Sequence, residues 1–239
     1  MAAAVRAVLC DLDDTLFDHA HATRMALAGV QADEPALGCW EPAELERRHA
    51  GILELMHQEV LAGRLSIERA RAERFRQLLF DADRTGAACA RAPELAAQYR
   101  SGYERAWRAV PGALNLAAAI KRAGMAVAVV TNNIASEQRM KIASCGLDAY
   151  VDVLITSEEI GVTKPDVRIF EAALSRCGAQ PHEAVMIGDA WQTDILGARA
   201  ARIRPIWLNR LAIPSPDPSV AELPALEPLH DVWRLVSAT

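Results

Sequence analysis

Hydrophobic and polar positions change rhythm twice along this chain. The run Val5–Cys10 is apolar throughout and ends in the acidic stretch Asp11-Leu12-Asp13-Asp14. Such a run reads as a buried parallel strand with an acidic mouth. From Asp18 to about Val110 the spacing becomes helical. Ala22–Val30 is a short amphipathic stretch. Pro42, Glu44 and Glu46 mark a helix start, and Leu53, Met56, Val60 and Leu61 recur behind them until Gly63 breaks the pattern. Ser66 can cap a further helix whose apolar positions are Ala70, Phe75, Leu78 and Leu79. Over Pro93–Trp107, Leu95, Tyr99, Tyr103 and Trp107 recur every four residues. No strand candidate falls in this region.

After Pro111-Gly112 short apolar runs and helical patterns alternate. The spacing predicts strands at Ala126–Val130, Val151–Thr156, Ala184–Ile187 and Arg204–Leu208. It predicts helices at Ala113–Arg122, Ser136–Cys145, Asp166–Cys177 and Asp194–Ala201, with Gly124, Gly146 and Gly178 closing the first three. Ile213–Pro218 is proline-rich and reads as surface loop, and Leu229–Val236 as a closing helix. This alternation implies an α/β chain with a doubly wound, Rossmann-like parallel-sheet core, interrupted after its first strand by an all-helical insertion.

The balance of residues narrows the field of partners. The chain has 239 residues, 51% hydrophobic and 24% charged, as in ordinary globular proteins. A formal net charge of −5 favours neither nucleic acid nor a membrane surface. No apolar run approaches the roughly 20 residues that span a bilayer, and no secretory signal pattern is visible. The five scattered cysteines form no CxxC, so reduced cytoplasmic thiols are expected rather than disulfides or a zinc site.

Candidate chemistry sits at the predicted strand ends, where ligand sites lie in open α/β sheets. Asp11 and Asp13 follow the first strand two residues apart, so their carboxylates can converge. They could hold a hard cation, divide into nucleophile and general acid, or simply cap a helix. Thr131 and Asn132 follow the second strand, where a hydroxyl and backbone amides can hold phosphoryl oxygens or cap the next helix. Lys164, ahead of Pro165, is either a surface lysine or the cation that a phosphoryl site needs. Gly188 permits close backbone approach, Asp189 could supply a third carboxylate, and Asp194 could cap the next helix or support a metal site from outside.

Taken in order, Asp11-Leu12-Asp13-Asp14-Thr15-Leu16, Val130-Thr131-Asn132, Lys164-Pro165-Asp166 and Gly188-Asp189 with Asp194 resemble the four motifs of the haloacid dehalogenase superfamily, in its phosphatase branch. The resemblance covers Val5–Asp18 and Val110–Leu208. It implies a hydrolase core at residues 1–17 and 108–239 and an α-helical cap at 18–107, lying over the strand ends. It further implies an Mg²⁺-dependent phosphatase for a small phosphomonoester of the nucleotide or sugar phosphate class. Asp11 would be the nucleophile that forms an aspartyl-phosphate and Asp13 the general acid and base. Thr131, Asn132 and Lys164 would bind the phosphoryl group. Asp11, the Asp13 backbone carbonyl and Asp189 would hold Mg²⁺, with Asp194 in support. The protein is expected to act as a monomer or homodimer, with no nucleic-acid or membrane partner.

A 2-haloacid dehalogenase is the nearest rival, although that branch usually lacks the second aspartate. A non-catalytic binding protein of the same fold is a rival of another class. Two positions depart from the family: Arg202 stands where glycine is usual and must either adopt a left-handed backbone or close its helix differently, and Asn133 replaces a glycine. Thr15 is expected to shape its turn. His19 and His21 are expected as exposed residues at the entry to the cap, Trp191 as a rim or packing residue. The arginines Arg64, Arg69, Arg71, Arg74 and Arg76, interleaved with Glu68 and Glu73, are expected on a solvated face, with one of them able to reach a substrate anion.

Overall fold

The computed structural model describes residues 4–238. The outermost positions of the expected core, residues 1–3 and 239, lie outside the described residues. The chain divides into two compact units, one of residues up to Asp18 together with Arg108 onward, the other His19–Trp107.

The first unit begins with strand β1 (Ala7–Cys10), whose four residues are all buried. The second unit follows as four helices: α1 (His19–Asp33), α2 (Pro42–Leu61), α3 (Ile67–Ala82) and α4 (Ala92–Arg105). Pro42 opens α2 within its first turn, and the Ser66 hydroxyl caps α3 by accepting from the Arg69 amide. Leu95, Phe75, Leu78 and Leu79 are fully buried between these helices.

The remainder returns to the first unit: α5 (Ala113–Arg122), β2 (Ala126–Thr131), α6 (Ala135–Ser144), β3 (Val153–Thr156), a single turn α7 (Ser157–Ile160), α8 (Val167–Cys177), β4 (Ala184–Gly188), α9 (Leu196–Ala200), β5 (Arg204–Leu208), β6 (Ala221–Leu223) and α10 (Leu229–Val236). The strands form one parallel sheet in the order β3-β2-β1-β4-β5-β6. Leu9, Val130, Ile155 and Met186 face Ile169 and Phe170 of α8 and Ala198 of α9. α5 lies along β2 on the sheet, and α10 packs on α5. Burial on both faces explains why the strands read as continuous apolar runs rather than as alternation.

Two features stand out against the sequence expectation, and a third settles an alternative that it left open. Strand β6 was not predicted; it adds three residues to the β5 edge and includes the charged Glu222. The segment predicted as one helix from Asp194 instead opens with a wider π-type turn, Trp191–Ile195, and only then becomes α9. Arg202 does take the left-handed conformation, at φ +61°, with its amide on the Arg199 carbonyl and the next amide on Ala198. That costs roughly 1–2 kcal/mol and lets Ile203 enter the core.

Candidate active site

Register brings the motif residues to one edge of the sheet. Cys10 pairs across to Val129 on one side and to Ile187 on the other. The next residues of all three strands therefore emerge together: Asp11, Val130-Thr131 and Gly188-Asp189. The Asp11 amide continues the ladder onto the Ile187 carbonyl at 2.9 Å. Beyond it the chain turns sharply, with Asp14 at φ +64° and the Leu16 and Phe17 amides both returning to the Leu12 carbonyl. Thr15 accepts from the Asp189 amide at 3.2 Å and donates to the Asp189 carboxylate at 3.3 Å. It thus ties this turn to the end of β4, consistent with shaping the turn.

Lys164 is 4% exposed and is the cation of the site. Its ammonium donates to Asp11 Oδ1 at 2.6 Å, Asp194 Oδ1 at 2.7 Å and the Val130 carbonyl at 2.8 Å. Burial works against its charge, but Asp11 and Asp194 outweigh that and hold its pKa above the ordinary lysine value. Asn132 braces the same residue: its side-chain carbonyl accepts from the Lys164 amide and its amide donates to the Lys164 carbonyl. The peptide bond between Lys164 and Pro165 is cis.

Asp11, Asp189 and Asp194 each present an oxygen within 4.8 Å of the others. Burial is the largest influence raising the pKa of Asp11 and of Asp189. Lys164 opposes it at Asp11, while Asp194 adds to it; at Asp189 the Asp11 charge adds to it. Three carboxylates facing one ammonium leave an excess of negative charge that burial makes expensive. A divalent cation would relieve it, and an all-oxygen donor set suits Mg²⁺. Asp194 has both oxygens engaged, one by Lys164 and the other by the Ala190 amide at 3.1 Å. Asp11 and Asp189 each have one oxygen engaged. The residues therefore fit such an ion, with Asp11 and Asp189 as direct donors and Asp194 holding Lys164. Gly188 is required for this packing, because a Cβ there would stand 2.3 Å from an Asp194 oxygen.

Asp13 stands apart from the trio. Its carboxylate receives Lys141 at Oδ1, and at Oδ2 the Gln138 amide at 3.0 Å and the Asn133 amide at 3.4 Å. Lys141 is buried, with its ammonium 4.8 Å from the Phe17 ring centroid, and Gln138 also donates to the Thr131 hydroxyl at 2.7 Å. Sequence reasoning missed both. The available signal was spacing: Gln138, Lys141 and Ile142 share one face of α6, and all three are buried. Trp191 packs edge-on against Trp207, with ring centroids 5.0 Å apart.

A family model for haloacid dehalogenase-like hydrolases matches residues 5–202. The chain belongs to that family. Among its relatives, a phosphoserine phosphatase of Thermus thermophilus is 39% identical over 155 residues, covering 62% of this chain and 60% of that protein. A ribulose-1,5-bisphosphate 5-phosphatase of Halopiger xanaduensis is 30% identical over 212 residues, covering 84% of this chain and 83% of its own length. The fold is also that of a 2-haloacid dehalogenase from Pseudomonas syringae, at TM-score 0.62 and 25% identity over 97% of this chain and 99% of that one. No helix among the described residues is long and apolar enough to cross a membrane.

Proposed function

We propose that this hydrolase is a magnesium-dependent phosphatase for a small-molecule phosphomonoester of the nucleotide or sugar phosphate class, working through an aspartyl-phosphate. We read residues 1–17 and 108–239 as the catalytic core and 18–107 as the cap. The observation that carries the reading is the convergence of Asp11, Asp189 and Asp194, with Asp11 and Asp194 sharing the buried Lys164 ammonium. Asp11 has one carboxylate oxygen held by Lys164, a pairing that would fix the carboxylate in place against the phosphoryl group. Attack would form the Asp11–phosphorus bond as the ester bond breaks, and the leaving oxygen would take a proton from Asp13. Asp13 would then deprotonate the water that cleaves the aspartyl-phosphate, releasing phosphate and restoring Asp11. Thr131, Asn132 and Lys164 would hold and neutralise the phosphoryl oxygens. Mg²⁺, held by Asp11, the Asp13 backbone carbonyl and Asp189, would offset repulsion between carboxylate and phosphate. Lys141 and Gln138 would keep Asp13 in one orientation. The acidic net charge favours a small substrate over nucleic acid.

The likeness to a 2-haloacid dehalogenase supports a second reading, halide displacement by Asp11. Asp13 with its three donors has no task in that chemistry, which is why phosphate transfer is preferred. A panel of phosphomonoesters, assayed with Mg²⁺ and with EDTA and with Asp11→Asn as control, tests the choice. Phosphate release that needs both Mg²⁺ and Asp11 is expected. Halide release from 2-haloacids in EDTA, without phosphate release, would reverse the assignment.

A further inference from the structure

Arg74 does not behave like the other arginines of its unit. Arg64 pairs with Glu59 and Arg76 with Glu73 on the surface, as the charge pattern leads one to expect. Arg74 instead lies four residues from Ala70 and four from Leu78, on the buried face of α3, and is 6% exposed. The guanidinium carbon stands 5.1 Å from the Tyr99 ring centroid and 5.9 Å from that of Phe75. Among the described residues its Nε has no hydrogen-bond partner and no carboxylate pairs with it. Burial works most strongly against its charge, Arg71 and Arg100 add to that, and Tyr99 and Tyr103 oppose it; Arg100 itself pairs with Glu104 at 2.5 Å.

His49 of α2 repeats the pattern. It is 0% exposed, its ring centroid is 4.8 Å from Tyr99 and 6.1 Å from Phe75, and neither ring nitrogen has a partner among the described residues. Burial first, and then the Arg74 charge, push its pKa well below the ordinary value, so the ring is neutral near pH 7 and offers one N–H donor. A cation that is 6% exposed with an unpartnered Nε, and a fully buried ring with no partner at either nitrogen, therefore both lie against Tyr99. Buried charges are ordinarily paired, and buried polar atoms ordinarily bonded.

We propose that the helical unit holds a binding site for a small carboxylate, with the Arg74 guanidinium as its cation, His49 as a second donor and the rings of Tyr99 and Phe75 as apolar walls. One guanidinium balances one negative charge, and its planar fork matches a planar carboxylate with two parallel hydrogen bonds. A phosphate dianion would bring a second charge against the same apolar walls. Occupancy of this site requires no phosphatase activity.

The test uses the full-length, ¹⁵N-labelled, metal-free protein titrated with sodium acetate against sodium chloride of equal ionic strength. One side-chain Nε–H signal, the one absent from Arg74→Lys, should move saturably with acetate. Arg74→Lys keeps the charge but loses the fork and should weaken acetate by about tenfold or more, followed through backbone amides of α3. Arg74→Met should abolish the response; if it does not fold, the lysine variant decides alone. Absence of saturable movement, or equal acetate affinity in Arg74→Lys, overturns the site. Inorganic phosphate binding more tightly than acetate with the same dependence on Arg74 overturns the carboxylate assignment.

Discussion

Lys164 and Arg74 are each at least nine-tenths buried, one in each unit, and each sits on the inner face of its surroundings. Lys164 meets two carboxylates and a carbonyl within 2.8 Å. Arg74 meets two aromatic rings, and no carboxylate among the described residues pairs with it. The difference separates two ways of keeping charge out of water. In the first the chain supplies the opposite charge in excess, and the surplus calls for a metal. In the second the chain supplies none, and the deficit calls for an anion. Removing one partner from a buried pair leaves an uncompensated charge, whereas removing a charge that has no partner relieves one.

The largest test strikes the anion side of the first arrangement. Asp11→Asn keeps the shape but removes the proposed nucleophile, and phosphate release in Mg²⁺ should fall by at least about 10⁴-fold. Activity within tenfold of wild type would mean that Lys164 pairs with a carboxylate of no chemical consequence. Lys164→Met strikes the cation side. It should lower kcat by about 10²–10³-fold through lost charge stabilisation, and should destabilise the metal-free protein by about 3–5 kcal/mol because Asp11 and Asp194 are left facing each other. Urea unfolding measures the second effect, and an unchanged midpoint would erase the contrast with Arg74.

Two further cations sharpen the comparison by interpolating within it. Lys141 is buried like Lys164, but its partner Asp13 is part-exposed. Lys141→Met should therefore act mainly by releasing Asp13, lowering kcat by roughly 10–100-fold, within the range of positioned acid–base help, while leaving KM within about twofold. A KM rise with kcat intact would make Lys141 a substrate ligand instead. Arg108 and Arg210 reverse the geometry: two part-exposed cations converge on the buried Asp18. Burial of Asp18 works against its ionised form, but hydrogen bonds from Arg210 and Arg108 outweigh it and hold its pKa below the ordinary value. The unfolded chain then binds more protons than the folded one across that interval. Stability from this group is complete above about pH 4, the unfolded aspartate value, and is lost as pH falls further. Asp18→Asn should cost about 1–2 kcal/mol at pH 7, reduced by solvent screening of the half-exposed Arg108, and the gap to wild type should close toward pH 3. A gap that widens on acidification would contradict the sign.

Much of the core was legible because its signals are local. The apolar run into Asp11, the Gly178 that ends α8 in a left-handed turn and the Gly188 that admits Asp194 each follow from backbone sterics and burial, and each is where those rules put it. The convergence of Lys164 with Asp11 and Asp194 was legible only through the four motifs together, since no single strand end forces it. Strand β6 was not legible: three residues with Glu222 at their centre give no apolar run, and its pairing with β5 is set by tertiary docking. Arg74 was misread and Lys141 was not singled out. Charge patterning suggested a solvated face for Arg74, yet each of the two falls on the buried stripe of its helix, Lys141 with Ile142 and Arg74 with Ala70 and Leu78. His19, expected to be exposed, has Nδ1 2.6 Å from the Tyr103 hydroxyl. In each case helical phase carried more information than residue type.

The smallest predicted effect is the one that isolates the second arrangement. Arg74→Met keeps most of the side-chain volume and its apolar stem against Tyr99 and Phe75 while deleting the charge. Replacing a buried ion pair by packed apolar groups is often neutral or gains about 1–4 kcal/mol, and Arg74 has no pair to lose, while loss of the cation–π contacts costs about 0.5–2 kcal/mol. The net change in acetate-free buffer should lie within about 1 kcal/mol of wild type or be mildly stabilising, opposite in sign to Lys164→Met. Acetate should then raise the melting temperature of wild type and leave that of the variant unmoved, because only a ligand that binds the folded state selectively shifts it. A loss of stability as large as that of Lys164→Met would mean that the chain already compensates Arg74, and the distinction between the two buried cations would collapse.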